Sequence, residues 1–157
     1  MNQTILVIED NATEQFVLKQ LIERFDFEAQ IVLSGEEALD SMEKTKFSAI
    51  LLDLTLPGMD GLECARRIRQ MESSTLEHTP IIAITARAQP SDRMACELAG
   101  IDDYLCKPFD PEELRKMLLR HLYQPNKPNL KILRRLEPED VNKILSELAE
   151  KENGISS

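Results

Sequence analysis

Hydrophobic positions follow two different spacings along the chain. Short continuous apolar runs, such as residues 5–8 and 47–52, are typical of strands that are covered on both faces. Between such runs, apolar residues recur every three to four positions, as in the segment from Val17 to Phe25, which is the spacing of one helical face. Since strand and helix patterns alternate five times, the sequence predicts a parallel sheet with helices on both faces.

The predicted boundaries depend on local signals. Ser34 is a candidate N-cap, Gly100 a candidate left-handed cap after a helix over residues 91–99, and Pro111 a candidate first residue of the last helix. The predicted strands cover residues 5–8, 29–33, 47–52, 81–85 and 103–106.

Charged and hydroxyl side chains stand where the predicted strands end. In open parallel sheets, ligands bind beyond the carboxyl ends of the strands. The residues expected there are Glu9, Asp10, Asp53, Thr85 and Lys107. Carboxylates gathered in one cleft repel each other unless cations share it, and a hard divalent cation meets that need. The pattern therefore predicts a Mg²⁺ site, for which Mn²⁺ is the alternative ion.

This set of groups favours phosphoryl transfer, a reaction that depends mainly on positioning and charge neutralisation. A carboxylate such as Asp53 can act as the nucleophile and hold an acyl phosphate. Lys107 and the hydroxyl of Thr85 would then bind the remaining phosphoryl oxygens.

Each of these residues also has an ordinary structural role. Asp53 suits a turn or a helix cap, Thr85 suits a strand, Lys107 suits a solvated surface, and the Glu9–Asp10 pair suits a cap of the first helix. The functional interpretation is favoured because four of the five strands end in the residue type that the chemistry requires.

Three longer segments resemble the receiver domain of two-component signalling. They are residues 52–61 (LDLTLPGMDG), 80–86 (PIIAITA) and 99–109 (AGIDDYLCKPF), and the resemblance runs from about residue 4 to residue 123. It implies a flavodoxin-like fold with five strands in the order 2-1-3-4-5 and five helices. It also implies that the chain is a phosphoacceptor in a phosphorelay, not an enzyme that turns over an external substrate.

The resemblance assigns roles to individual residues. Mg²⁺ would be held by Glu9 or Asp10, by Asp53 and by the backbone carbonyl of Thr55. Asp53 would receive its phosphoryl group from a histidine kinase or a histidine-phosphotransfer protein. A cis peptide bond would precede Pro108 and direct the preceding lysine toward the site.

A conformational switch is implied as well. Thr85 would move inward to bind the phosphoryl group, and Tyr104 would turn into the space that Thr85 leaves. This would change the surface formed by the fourth helix, the fifth strand and the fifth helix, where a downstream protein or a second copy would bind. Thr55 and Arg87, two residues beyond Asp53 and Thr85, are positions that tune water access to the phosphoryl group.

Composition limits the other function classes. A net charge of −9, with 19 basic and 28 acidic residues, argues against a broad nucleic-acid surface. The three cysteines form no CxxC pair and suit a reducing compartment. No apolar run approaches the roughly 20 residues that a membrane span requires, and no signal peptide is expected, so the cytoplasm is the predicted location.

The last part of the chain differs in pattern. Residues 124–129 contain two prolines and indicate a linker, and residues 130–157 are predicted to form a helical C-terminal extension. Its apolar positions, Val141, Ile144, Leu145 and Leu148, have helical spacing. The extension would pack against the receiver domain (residues 1–123) or a second copy, or it would dock a partner in response to the state of Asp53.

Two rival functions remain open from the sequence. The first is a pseudo-receiver, a fixed interaction module without phosphate turnover, against which the complete set of Asp53, Thr85 and Lys107 argues. The second is a small Mg²⁺-dependent phosphatase, which is disfavoured because no separate general base accompanies the carboxylates. The chain would act alone or as the receiver part of a larger hybrid protein.

Overall fold

The computed structural model describes residues 3–56, 58–75, 77–87 and 89–123. The predicted linker and C-terminal extension lie outside the described residues. The elements in chain order are β1 (Thr4–Ile8), α1 (Ala12–Arg24), β2 (Glu28–Val32), α2 (Gly35–Lys44), β3 (Ala49–Leu52), α3 (Gly61–Met71), β4 (Ile81–Thr85), α4 (Pro90–Ala99), β5 (Asp103–Cys106) and α5 (Pro111–Leu122).

The strands form one parallel sheet in the order β2-β1-β3-β4-β5. The second strand of the chain lies on one side of β1, and β3, β4 and β5 follow in order on its other side. This confirms the predicted five-stranded, doubly wound fold of the flavodoxin-like type. Because all strands point the same way, their carboxyl ends lie along a single edge.

The core is divided into two layers by the sheet. In β1, Leu6 and Ile8 pack into the layer with α2, α3 and α4, while Ile5 and Val7 pack into the layer with α1 and α5. All four side chains are completely buried. The strand is continuously apolar because successive side chains point to opposite faces and both faces are covered.

Side-chain caps begin most of the helices. Asn11, Ser34, Asp60 and Asp110 each accept a hydrogen bond from a backbone amide in the first turn of α1, α2, α3 and α5. Gly100, with φ 90°, ends α4 in the left-handed conformation that the sequence predicted.

The predicted third strand began two residues too early. Phe47 is buried, and the amide of Ser48 donates to the carbonyl of Thr4, but pairing with β1 begins at Ala49. An apolar run indicates that residues are buried. A buried residue can precede the first residue of a strand that pairs with its neighbour.

A buried ionic network lies at the opposite, amino-terminal edge of the sheet. The guanidinium of Arg69 donates to Glu72 Oε1 at 2.6 Å, to Asp102 Oδ2 at 2.7 Å and to the carbonyl of Gly100 at 2.9 Å. These contacts join α3 to the segment between α4 and β5. They leave the buried Arg69 with partners for its charge, as burial of an ion requires.

Cys64 and Cys96 are buried and Cys106 is half-buried, all as free thiols. Burial raises the pKa of the Cys64 thiol to about 12, so this residue behaves as a small apolar side chain. Among the helices of the described part of the chain, none has the length and apolar character that crossing a membrane requires.

Candidate functional site

The predicted site residues follow the strand ends along one edge of the sheet. Backbone hydrogen bonds extend the ladder past the strands: the amide of Glu9 donates to Val32, that of Asp53 to Ile8, and that of Lys107 to Thr85. These bonds measure 3.1, 3.1 and 2.9 Å. The backbone that carries the charged side chains is therefore held by the sheet itself.

Three carboxylates converge at this edge. Oxygen atoms of Glu9, Asp10 and Asp53 all lie within 4.8 Å of one another. Glu9 and Asp53 are buried, whereas Asp10 is exposed and opens the cluster to solvent. Oδ1 of Asp53 accepts a hydrogen bond of 3.0 Å from the amide of Thr55.

The electrostatics of the cluster suit a cation. Burial raises the pKa of Glu9 to about 8, and the charge of Asp53 adds to the rise, against the opposing hydrogen bond from the Asn11 amide and the charge of Lys107. A divalent cation would favour the ionised form of Glu9 and offset the repulsion between the carboxylates. The donor set, made of oxygens alone, is the type that Mg²⁺ prefers. These residues therefore fit a magnesium ion.

Lys107 brings a positive charge into the cluster. Its Nζ lies 2.7 Å from Oε2 of Glu14, 3.5 Å from Oε2 of Glu9 and 3.6 Å from Oδ2 of Asp53. Burial lowers the pKa of Lys107, but the hydrogen bond to Glu14 and the charges of the other carboxylates outweigh it and raise the pKa above its ordinary value. The side chain is therefore an ammonium ion. The peptide bond between Lys107 and Pro108 is cis.

Glu14 was missed by the sequence reasoning, although it makes the shortest contact to Lys107. It lies in the first turn of α1. A signal was present, because the helix that follows β1 must start at the carboxyl edge of the sheet. Polar residues in that first turn are therefore candidates for the same site as Glu9 and Asp10.

Thr85 is almost completely buried at the end of β4. Its hydroxyl oxygen accepts a hydrogen bond of 3.2 Å from the amide of Arg87. The guanidinium of Arg87 itself pairs with Asp92 in the first turn of α4, with nitrogen to oxygen distances of 3.2 and 3.0 Å. In this structure Arg87 is thus bound to α4 and not to the carboxylate cluster.

Tyr104 lies in β5 with its ring packed against the core layer of α2, α3 and α4. Its hydroxyl group is buried and has no hydrogen-bond partner within the described residues. Burial raises the pKa of Tyr104 to about 12. The guanidinium carbon of Arg93 lies 5.4 Å from the centre of the ring, within the range of a cation–π interaction.

Most of the chain is similar to proteins of one known family. Residues 5–119 match the response regulator receiver domain family. The transcriptional regulatory protein ResD of Bacillus subtilis is 39% identical over 127 residues, which are 78% of this chain and 51% of ResD. Hybrid signal transduction histidine kinase I of Dictyostelium discoideum is 36% identical over 121 residues, which are 74% of this chain and 7% of that kinase. The chain thus spans about half of ResD and a small part of the kinase.

Solved structures with the same fold include two receiver proteins. The receiver domain of the sensor histidine kinase PA1611 from Pseudomonas aeruginosa has a magnesium ion coordinated in its active site cleft. It is 38% identical, with a TM-score of 0.71, and the match covers 78% of this chain and 99% of that one. Chemotaxis protein CheY4 of Vibrio cholerae is 28% identical, with a TM-score of 0.72 over 78% of this chain and 100% of CheY4.

Fold, acidic pocket and sequence agree on one family. The pocket of Glu9, Asp10 and Asp53 fits both a magnesium ion and a phosphoacceptor aspartate, and the match to the family covers most of the chain. The chain therefore belongs to the response regulator receiver domain family and is a receiver domain of the two-component signalling type.

Proposed function

We propose that Asp53 accepts a phosphoryl group from the phosphohistidine of a histidine kinase or a histidine-phosphotransfer protein. The observation that carries this proposal is the position of the Asp53 carboxylate, which lies within 4.8 Å of two acidic neighbours and 3.6 Å from the ammonium of Lys107. A nucleophilic carboxylate with a positive charge beside it is the arrangement that phosphoryl transfer to aspartate requires.

In the transfer step, an oxygen of Asp53 forms a bond to phosphorus as the nitrogen–phosphorus bond of the donor breaks. The electron pair of the broken bond returns to the imidazole nitrogen. The amide of Thr55 holds Oδ1 of Asp53, which restricts rotation of the carboxylate. Lys107 neutralises charge on the phosphoryl oxygens, and Thr85 contributes a hydroxyl donor from the end of the neighbouring strand.

Glu9, Asp10 and Asp53 are the side chains proposed to hold Mg²⁺, with Mn²⁺ as the alternative, and the carbonyl of Thr55 is the proposed backbone ligand. When bound, the ion would supply positive charge that offsets both the carboxylates and the phosphoryl oxygens. The magnesium ion in the PA1611 receiver domain supports this assignment.

The proposed output is a change in the surface of α4, β5 and α5. Binding of a phosphoryl group would draw the Thr85 hydroxyl away from the Arg87 amide, which is its hydrogen-bond donor in this structure. Tyr104 would respond, because its hydroxyl is buried and finds no hydrogen-bond partner among the described residues, which makes its present position costly. A downstream protein or a second copy would bind the altered surface, with the C-terminal extension as a further candidate contact.

The chain is proposed to act as a cytoplasmic signalling component, and not as an enzyme with an external substrate. Free cysteines support a reducing compartment. Thr55 and Arg87 are the residues proposed to tune the access of water to the phosphoryl group. Arg87 would have to leave Asp92 before it could approach that group.

The test is a mass measurement after incubation with acetyl phosphate and Mg²⁺. We expect one phosphoryl adduct on the wild type and on Asp40→Asn, a matched change of an exposed aspartate, but none on Asp53→Asn. An adduct that persists in Asp53→Asn would refute the assignment. A wild type that neither forms the adduct nor binds Mg²⁺ would support the pseudo-receiver alternative. Continuous release of phosphate without an adduct would support a phosphatase.

A further inference from the structure

The ammonium of Lys107 is closer to a residue outside the assigned site than to Asp53. Its contact to Oε2 of Glu14 is 2.7 Å, whereas the distance to Oδ2 of Asp53 is 3.6 Å. The first is a hydrogen bond between two ions, and the second is too long for one. The same ammonium that is proposed to bind the phosphoryl group is thus held by Glu14 before that group arrives.

The position of Glu14 is fixed by its own helix turn. Its amide donates to Oδ1 of Asn11 at 3.0 Å, and the amide of Asn11 donates to Oε1 of Glu9 at 3.1 Å. The side chain of the next residue, Gln15, donates to the carbonyl of Glu9 at 2.6 Å. Hydrogen bonds therefore tie the first turn of α1 to Glu9, the residue that follows β1. They hold the backbone of Glu14 next to the site.

We propose that Glu14 is a positioning residue that holds Lys107 at the outer rim of the site and competes with the phosphoryl group for its ammonium. This inference rests on the proposed function of Asp53. The family resemblance assigns a role to Lys107 and none to Glu14, so the effect would be a property of this chain's own sequence.

Competition is feasible because the pair lies at the boundary with solvent. The side chain of Lys107 is 20% exposed and that of Glu14 is 40% exposed, so water can solvate Glu14 when the lysine leaves. A fully buried pair would resist such an exchange, since separation would leave a desolvated charge. When Lys107 leaves Glu14 for the phosphoryl group, the carboxylate of Glu14 becomes an unpaired negative charge near an anionic group, which adds to the cost of the exchange.

The test compares the rate of phosphorylation by acetyl phosphate and Mg²⁺ in the wild type and in Glu14→Gln. The glutamine keeps the size of the side chain and removes its charge. We expect a rate increase of roughly 2–5-fold, the range that corresponds to a partly exposed ion pair. Glu23→Gln is the matched control, because Glu23 is an exposed glutamate farther along the same helix, and it should leave the rate unchanged. A merely structural role would lower the rate and not raise it.

A double-mutant cycle decides whether Glu14 acts through Lys107. The second readout is the affinity for beryllofluoride, a phosphoryl mimic, by calorimetry in the presence of Mg²⁺, which remains measurable if Lys107→Ala is phosphorylated too slowly. Glu14→Gln should raise this affinity in the wild type and leave it unchanged in Lys107→Ala.

The outcomes separate the two proposals. Equal rates and affinities for wild type and Glu14→Gln, with a normal adduct on Asp53, would overturn the role of Glu14 alone. An effect of equal size in the Lys107→Ala background would show a general charge effect and would also overturn it. Absence of any adduct on the wild type would overturn the function of Asp53 and this inference with it.

Discussion

Substitution of Gly61 by alanine tests whether close packing of α3 against the acceptor loop positions Asp53. Gly61 is the first residue of α3, and its amide donates to the carbonyl of Leu54 at 3.1 Å. A Cβ atom at this position would lie 2.6 Å from Cα of Leu54 and 2.7 Å from the carbonyl oxygen of Asp53. Both contacts are to backbone, which cannot turn aside as a side-chain end can.

The magnitude follows from these distances. An ordinary contact between carbon atoms is about 3.5 Å or more, so the helix or the loop would have to move by roughly 1 Å. Such overpacking costs about 1–3 kcal/mol. Alanine is otherwise the better helix former by up to about 1 kcal/mol. Because both contacts are to backbone, the cost should lie near 3 kcal/mol, and we expect a net destabilisation of about 2 kcal/mol in the free energy of unfolding. A displacement of a reacting group by about 1 Å can lower a reaction rate by ~10²-fold. Phosphorylation of Asp53 should therefore slow by at least ~10-fold.

Gly35 is the matched control, because it is the first residue of α2 just as Gly61 is of α3. There an added Cβ would meet Sδ of Met59 at 2.9 Å, the far part of a flexible side chain, and Cβ of Cys64 at 3.3 Å. Gly35→Ala should therefore stay within about 1 kcal/mol of the wild type.

Urea unfolding and phosphorylation by acetyl phosphate measure both effects. The reasoning would be refuted if Gly61→Ala were as stable as Gly35→Ala and were phosphorylated at the wild-type rate. A loss of stability with an unchanged phosphorylation rate would show that α3 packs tightly there without positioning Asp53.

Two further predictions concern the ionic network at the opposite edge of the sheet. Arg69→Ala would leave the buried carboxylate of Glu72 without its cation and would remove the guanidinium partner of Asp102. It should cost about 3–5 kcal/mol in urea unfolding. Loss of the exposed ion pair between Lys46 and Glu77 should cost at most ~1 kcal/mol, and equal effects would contradict this prediction. Burial raises the pKa of Asp102, but the hydrogen bond with His78 and the charge of Arg69 outweigh it and bring the pKa below its ordinary value of 3.8. Such a carboxyl stabilises the fold above its unfolded pKa and loses that contribution as pH falls through the lower folded pKa. The destabilisation by Asp102→Asn should thus be complete at about pH 6 and shrink below about pH 4, and a difference that is constant with pH would refute the assignment.

The sequence was sufficient for the fold and for the convergence of Glu9, Asp53 and Lys107 at one edge of the sheet, although it missed Glu14. The continuous apolar run of β1 indicated burial on both faces, and the periodic spacing in the following segment predicted a helix. Alternation of the two then required a parallel sheet, whose strand ends share an edge. Glu9, Asp53 and Lys107 could therefore be placed together although each belongs to a different part of the chain.

Only the tertiary structure decided how the charges are paired. Lys107 and Glu14 are 93 residues apart in sequence, and no local pattern indicates that the ammonium approaches Glu14 more closely than Asp53. The pairing of Arg87 with Asp92 and the burial of Arg69 were equally beyond the sequence. An apolar run and a periodic spacing are properties of neighbouring residues in the sequence. The partner of a charge depends instead on distances of a few ångströms between groups that folding brings together.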